Sequence, residues 1–222
     1  GGAERCRIEV AFPTCLATFV DPATGEPRVA CACDEEVRIY DPVAGGAALV
    51  VIDAGSGERV NALAVFKDAA TGELRLACAT VCAAIENADS DSESDSGPSG
   101  EVRIYDPVAG GEALVVLAGH NGFVRALTVF KDPATGGLRL ASGSRDNSVR
   151  IWDLVAGGAA LFVLEGHTDN VNALTAFADP ATGETRLASG SDDKTLRVWD
   201  ASTGAALQVV AFDDSVIALA VG

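Results

Sequence analysis

The chain has 222 residues, enough for one sizeable domain or two small ones, and its 48% hydrophobic and 22% charged residues indicate a globular protein rather than a disordered one. No apolar stretch approaches the roughly 18 residues of a membrane-spanning helix, so we expect a soluble, cytoplasmic chain, with the nucleus left open. The 32 acidic residues against 16 basic ones give a net charge of −16. This charge argues against nucleic acid as a partner and favours either a partner with a basic surface or a role in solubility alone.

An internal repeat organises the sequence. Aromatic–Asp pairs begin at Tyr40, Tyr105, Trp152 and Trp199, with spacings of 65, 47 and 47 residues. A turn sequence close to Asp-Pro-Ala-Thr-Gly occurs four times, with spacings of 47, 64 and 47 residues, and ends at Gly25, Gly72, Gly136 and Gly183. Both markers indicate a unit of 47 residues with one insertion of about 17 residues inside the second unit.

Each unit contains four short apolar runs, which we name a, b, c and d in chain order. In the third unit they are Val124–Phe130, Leu138–Ser144, Ser148–Asp153 and Ala159–Leu164. The runs are rich in Val, Leu and Ile and have no helical periodicity, and the residues between them are typical of turns. The repeat therefore predicts an all-β fold, a β-propeller built of four-stranded antiparallel blades.

Two further runs flank the four units. Cys6–Ala11 has the pattern of a d strand without its blade, and Ser215–Gly222 has the pattern of an a strand without its blade. We therefore expect residues 1–222 to form a single propeller domain or a fragment of one, with four complete blades and two flanking strands. The ring is either partial, or short and closed by the two flanking strands as an incomplete fifth blade. The start at Gly1 and the absence of Met favour a piece of a longer chain.

Units three and four carry three further motifs in register. Gly-His, Ser-Gly-Ser-x-Asp and Trp-Asp follow one another within Leu117–Asp153 and again within Leu164–Asp200. These motifs resemble those of the WD-repeat β-propeller family. The resemblance implies a buried hydrogen-bond relay that runs from His through Ser and Asp to Trp in each of these two blades. The implied members are His120, Ser142, Asp146 and Trp152 in the third blade, and His167, Ser189, Asp193 and Trp199 in the fourth.

Units one and two depart from this pattern. Neither has a Gly-His pair, Tyr replaces Trp, and Cys31 and Cys78 stand at the position of the relay Ser. We predict that these two blades depend on packing alone and are the looser pair. Six Cys are too few for a disulfide scaffold, and the spacing of Cys31 and Cys33 suits zinc poorly, so we expect buried free thiols, no metal and no cofactor.

An Arg precedes each aromatic residue by two positions, and strand alternation places both side chains on one face. One interpretation is a ring of positive charge for an acidic ligand. The other, which we favour, is a guanidinium that packs on a neighbouring blade and pairs with a nearby Asp. The four residues are Arg38, Arg103, Arg150 and Arg197.

The insertion in the second unit, residues 83–100, is acidic and rich in Ser, and it cannot bury enough apolar surface to order itself. Ser90 has Glu93 three residues on and Ser92 has Asp95, a pattern that acidophilic kinases accept, so both serines are candidate phosphorylation sites. A merely solvated loop is the simpler interpretation.

The family resemblance implies a non-catalytic scaffold that binds peptides or proteins on the face where the d–a loops and b–c turns emerge. A purely structural segment of a larger propeller, without a ligand of its own, is the alternative, and a propeller enzyme or lectin-type domain is less favoured. The Ser/His/Asp set also fits a hydrolase, but a buried relay explains the same residues in both blades. Unpaired sheet edges predict self-association. The candidate partner-binding residues are Arg59, Phe123, Arg145, Asn170, Asp192 and Lys194.

Overall fold

The computed structural model describes residues 8, 10, 13–55, 58–82 and 100–220, and all regular secondary structure within these residues is β. The described strands, in chain order, are β1 (Pro13–Val20), β2 (Pro27–Cys33), β3 (Glu36–Tyr40), β4 (Val50–Asp53), β5 (Glu58–Lys67), β6 (Leu74–Cys82), β7 (Gly100–Tyr105), β8 (Val115–His120), β9 (Val124–Lys131), β10 (Leu138–Ser144), β11 (Val149–Asp153), β12 (Phe162–Leu164), β13 (Val171–Ala178), β14 (Thr185–Ser191), β15 (Thr195–Asp200) and β16 (Ala206–Ala211). No helix in this part of the chain could cross a lipid bilayer.

The strands form four separate sheets, each of four strands. Every sheet is an antiparallel meander in which neighbouring strands are consecutive in the chain, from β1–β4 to β13–β16. The a, b, c and d runs of the repeat correspond to the four strands of each sheet, so the predicted all-β fold of four-stranded propeller blades is confirmed. The insertion is bounded by β6 and β7, and its last predicted residue, Gly100, belongs to β7 rather than to the loop.

Two strand predictions need correction. The third d strand begins at Phe162 rather than at Ala159, because Gly157 and Gly158 turn the chain with positive φ angles of 61° and 77°. Residues 215–220 form no strand, because no described strand pairs with them. A backbone bond from Val216 N to Ser191 O, 2.9 Å long, and close packing of the Val216 side chain beside Gly190 hold this segment to the fourth blade. The predicted strand Cys6–Ala11 lies outside the described residues except for Ile8 and Val10, to which no strand is assigned.

A repeated aspartate turn joins strands a and b. In the first blade the Asp21 carboxylate accepts the backbone N–H of Ala23 at 2.9 Å, and Gly25 N donates to Asp21 O at 2.8 Å. Gly25 has a φ of 73°, a region that favours glycine, so the Asp-x-x-x-Gly spacing sets this turn. The aspartate of each aromatic–Asp pair closes the c–d turn in the same way: Asp153 accepts the N–H of Val155 at 2.8 Å.

An arginine near the start of each b strand ties these two turns together. Arg139 pairs with Asp132 of the a–b turn at 3.2 Å and with Asp153 of the c–d turn at 2.7 Å. The equivalent residues Arg28, Arg75 and Arg186 form matching ion pairs in the other blades. Each of these arginines therefore offsets part of the negative charge of the acidic turns at one end of its blade.

The hydrophobic core lies between successive blades. The a strands β1, β5, β9 and β13 lie side by side in this order, which places them on the inner side of the assembly. Each interface is filled by buried side chains of two blades; between the third and fourth blades they include Val149 and Ile151 on one side and Leu187 and Trp199 on the other. β13 has no comparable packing against β1 in the described part of the chain, so the four blades form an arc.

Candidate functional site: the relay blades and the loop face

The third blade contains a continuous chain of four polar side chains. His120 Nδ1 lies 2.8 Å from Asp146 Oδ2, His120 Nε2 lies 2.8 Å from Ser142 Oγ, and Trp152 Nε1 donates to Ser142 Oγ at 2.8 Å. His120, Ser142 and Trp152 are at most 1% exposed. β10 supplies the Ser, β11 the Trp, the end of β8 the His and the b–c turn the Asp.

One protonation state satisfies every member of this chain. A neutral imidazole with its proton on Nδ1 donates to Asp146, its Nε2 accepts the hydroxyl proton of Ser142, and Ser142 Oγ accepts the indole N–H. A buried network with all donors and acceptors paired stabilises a single side-chain arrangement. The contacts place Asp at one end and Trp at the other, so the order is Asp–His–Ser–Trp and not the His–Ser–Asp–Trp order implied by the family resemblance.

The fourth blade repeats the geometry. His167 Nδ1 lies 2.8 Å from Asp193 Oδ2, His167 Nε2 lies 2.7 Å from Ser189 Oγ, and Trp199 Nε1 donates to Ser189 Oγ at 2.8 Å. Asp193 also accepts the Thr195 hydroxyl at 2.6 Å and the backbone N–H groups of Thr168 and Thr195 at 3.0 and 2.8 Å. The carboxylate therefore joins the d–a loop to the b–c turn.

The contacts Asp146–His120–Ser142 have the connectivity of a hydrolase triad. Ser142 is nevertheless fully buried, and its oxygen already accepts the indole N–H of Trp152. A nucleophilic serine must reach a substrate carbonyl, and this oxygen is closed off by the strands around it. The arrangement therefore fits a structural network and does not fit a catalytic one.

Burial and hydrogen bonding set the ionisation of both relays. Burial alone would raise the pKa of Asp146, but the bonds from His120 and Ser148 outweigh it and hold the pKa well below its usual value. The pKa of Asp193 is lowered in the same way against its burial, mainly by Thr195 and His167. Burial lowers the pKa of His167 and outweighs the opposing effect of Asp193, in agreement with a neutral imidazole at pH 7.

We expect the stability of the protein to fall when the pH is lowered from 7 to 5. The lowered pKa of His167 means that the unfolded chain binds a proton near pH 6.5 while the folded chain does not, so acid favours unfolding in this window. The lowered pKa values of Asp146 and Asp193 add a second loss below about pH 4. Urea unfolding at pH 7 and pH 5 measures the first effect.

A His167→Gln variant is the control for this experiment, because Gln does not titrate. The variant should lose less stability than the wild-type chain between pH 7 and pH 5. If the wild-type chain and the variant lose the same stability between pH 7 and pH 5, His167 does not contribute to the pH dependence.

The first two blades hold Cys and Tyr where the relays hold Ser and Trp. Tyr40 and Tyr105 are 4% and 2% exposed, and Cys31 and Cys78 are 2% and 0% exposed. Burial raises the pKa of Cys33 to about 12, and it also raises the pKa of Cys78, so these side chains remain thiols. Cys15, Cys31, Cys33 and Cys78 are free cysteines.

Three of the arginines two positions before the aromatic residues contact the preceding blade as expected, including Arg103, whose Nη1 donates to Ala54 O, but the expected pairing with Asp is not found in the ion pairs that follow. Arg38 and Arg103 pair with Glu36 and Glu101, two residues earlier on the same strand face, rather than with Asp. In the third and fourth blades Ser148 and Thr195 take the place of this Glu. There the guanidinium packs beside the glycine that precedes the relay His: a Cβ on Gly119 would lie 2.6 Å from Arg150 Nη1, and one on Gly166 would lie 2.7 Å from Arg197 Nη1.

The b–c turns and the residues before the a strands meet at one end of the blades, which we call the loop face. Arg145 N donates to Phe123 O at 2.9 Å, and the Arg145 guanidinium lies 5.0 Å from the centre of the Phe123 ring. Asn170 Nδ2 donates to Asp192 Oδ2 at 3.0 Å. These four candidate partner-binding residues thus lie together in pairs.

The other two candidates occupy separate places on this face. Lys194 Nζ donates to Asp213 O at 3.0 Å, so it binds the segment that follows β16. Arg59 is exposed on β5 directly before the buried Val60, the position that Phe123 occupies before Val124 in the next blade. The candidate phosphorylation sites Ser90 and Ser92 lie outside the described residues.

A set of loop-face residues was missing from the sequence-based prediction. Each a strand has a register shift near its start, where one extra residue is inserted; such bulges redirect side chains. Asn172 at this position donates to Asp192 Oδ1 at 2.7 Å, and Arg125 Nη1 donates to Asn172 Oδ1 at 2.7 Å. A polar residue recurs at the same position of every repeat, and this signal could have identified them: Thr14, Asn61, Arg125 and Asn172.

The comparison with known families supports this geometry. A family model for the WD domain, G-beta repeat, matches residues 111–153 and 158–200. No curated protein matches the chain significantly. Each matched range begins near the d strand of one blade and ends with the c strand of the next, and each contains all four members of one relay. Residues 111–153 and 158–200 therefore match WD40 repeats, in agreement with the resemblance of their motifs to the WD-repeat β-propeller family.

Proposed function

We propose that this protein is a non-catalytic scaffold that binds peptides or other proteins on the loop face. WD40 repeats generally mediate protein–protein interaction, and the two matched repeats supply the a, b and c strands of the third and fourth blades. The net charge of −16 favours basic partners at long range, whereas the groups at the loop face decide what binds there.

This proposal rests on the position of the relay aspartates, which lie next to candidate partner-binding residues in the sequence. Arg145 directly precedes Asp146, and Asp192 and Lys194 flank Asp193. Each relay therefore anchors the backbone of a turn by its terminal carboxylate, while the side chains adjacent to this Asp in sequence lie at the surface. Side chains held on a rigid frame lose little entropy when a partner binds, which favours recognition.

A display library of random peptides tests this function. Peptides selected on the immobilised chain should bind a Phe123→Ala/Asn170→Ala variant at least about tenfold more weakly, the effect of losing one central contact. A Lys67→Ala/Lys131→Ala variant, altered at the opposite ends of β5 and β9, is the control and should bind normally. Selected peptides that bind the loop-face variant and the control equally would contradict the proposal.

The two ends of the arc favour a second role, association with another blade. Val149 and Ile151 are fully buried against the fourth blade, whereas the equivalent Leu196 and Val198 of the fourth blade are partly exposed. At the other end Leu16 is 62% exposed. Apolar faces that match buried interfaces elsewhere in the same chain are suited to receive a further blade, and in a solution of the pure protein a second copy would provide it.

We expect the measured mass of the pure protein to rise with concentration in light-scattering experiments. A Val198→Asn substitution should reduce this association, because it places a polar group on the free face of the fourth blade. Val163→Asn, on the exposed outer strand of the third blade, is the matched control. A strictly monomeric protein at all concentrations would contradict association through the free blade faces.

A further inference from the structure

The arginines of this acidic chain fall into three groups. Six of those in the described residues pair with carboxylates: Arg28, Arg38, Arg75, Arg103, Arg139 and Arg186. Arg150 and Arg197 pack beside glycines and have a buried Nε without a hydrogen-bond partner among the described residues. The remaining three are exposed and form no ion pair with any residue whose side chain the structure describes, a set that excludes Glu58: Arg59, Arg125 and Arg145.

One of these arginines lies over an aromatic ring on the loop face, and the other two lie near this aromatic residue in the sequence or at its equivalent position in the neighbouring blade. Arg145 lies over the Phe123 ring at 5.0 Å, and Arg125 follows Phe123 by two residues on β9. Arg59 has the same repeat position on β5 as Phe123 has on the neighbouring β9, and packed sheets are about 10 Å apart. We call Arg59, Phe123, Arg125 and Arg145 the basic cluster.

Acidic residues lie on both sides of the basic cluster. The b–c turn of the first blade carries Asp34 and Glu35, and the loop face of the fourth blade carries Asp192 and Asp213. Among the described residues of the loop face, positive charge thus lies on the second and third blades except for Lys194, which donates to Asp213 O. A nucleic acid, whose phosphates extend in both directions, would meet these carboxylates, whereas a short peptide would not.

We propose that the basic cluster binds an extended, carboxylate-rich peptide segment of a partner protein, a proposal that rests on the loop face being the binding surface. Guanidinium groups bind carboxylates through paired N–H donors, and an arginine on an aromatic ring keeps its outer donors free. The half-buried Phe123 ring offers an apolar contact between the charges. Arg125 retains donors for a ligand because its bond to Asn172 uses only one of its five N–H groups.

The same peptide library, analysed for composition, tests this inference. Among peptides that require Phe123, Asp and Glu should be enriched, and R59Q/R125Q/R145Q should weaken their binding at least about tenfold. The control variant R38Q/K67Q/K131Q changes the net charge by the same amount outside the cluster and should bind within about twofold of the wild-type chain. Thermal melting of both variants checks that they fold.

Synthetic copies of the selected peptides identify the interacting groups. Replacement of their Glu by Gln should weaken binding, and an increase in salt from 50 to 300 mM should do the same, because exposed ion pairs are screened. Peptides that require Phe123 but are neutral or basic would overturn the acidic-segment proposal and leave the loop-face function intact. Peptides insensitive to every loop-face substitution would overturn both.

Discussion

Replacement of Trp152 by Ala is expected to lower the free energy of unfolding by about 3–5 kcal/mol, the usual cost of deleting a large aromatic side chain from a packed core. Trp152 is fully buried between the second and third blades and donates its indole N–H to Ser142. Tyr105→Ala should cost less. Tyr105 is also buried at a blade interface, but its blade has Cys78 in place of the relay Ser and no relay His.

Denaturant unfolding of the two variants measures this difference. The two aromatic residues occupy the same repeat position and both blades have a neighbour on each side, so the size of the side chain and the relay are what distinguish them. Equal losses for Trp152→Ala and Tyr105→Ala would show that the relay adds nothing to the packing of the aromatic side chain.

Replacement of Asp193 by Ala is expected to cost about 3 kcal/mol or more, because several donors lose a charged acceptor at once. The donors are His167 Nδ1–H, the backbone N–H groups of Thr168 and Thr195, and the Thr195 hydroxyl. The exposed Asp213 is the matched control, and Asp213→Ala should change stability by less than about 0.5 kcal/mol.

Thermal and urea unfolding of both variants test this prediction. The Asp193→Ala variant should also lose the stability step below pH 4 that its own carboxylate provides, since the lowered pKa of Asp193 belongs to the folded state only. An Asp193→Ala variant as stable as the Asp213→Ala control would contradict the assignment of Asp193 as the anchor of the turn.

The repeat markers predicted the blades because the marker residues form hydrogen bonds with residues close to them in sequence. The Asp-x-x-x-Gly turns and the aromatic–Asp pairs set the ends of strands through bonds within five residues, such as Gly25 N to Asp21 O. The free faces at the ends of the arc could not be predicted in this way. Residues 215–220 have a strand-like sequence, but strand formation needs a pairing partner, and the described residues supply none.

The sequence predicted which residues belong to the site more completely than it predicted how these residues are arranged. The four relay members were implied by the resemblance of the motifs to the WD-repeat family, but their order depends on how β8, β10 and β11 meet in space. The bulge residues Arg125 and Asn172 were missed because strict strand alternation fails where an extra residue is inserted. The Glu36–Arg38 pair, in contrast, follows directly from alternation, which places residues i and i+2 on one face.

Hydrogen exchange of the backbone amides tests the central claim most directly, namely that relays make some blades rigid while others depend on packing alone. The second and third blades are the matched pair, because each lies between two others and only the third has a relay. We predict that β10 and β11 exchange at least about tenfold more slowly than β6 and β7. Equal protection in these two blades, or slower exchange in the second, would contradict the claim.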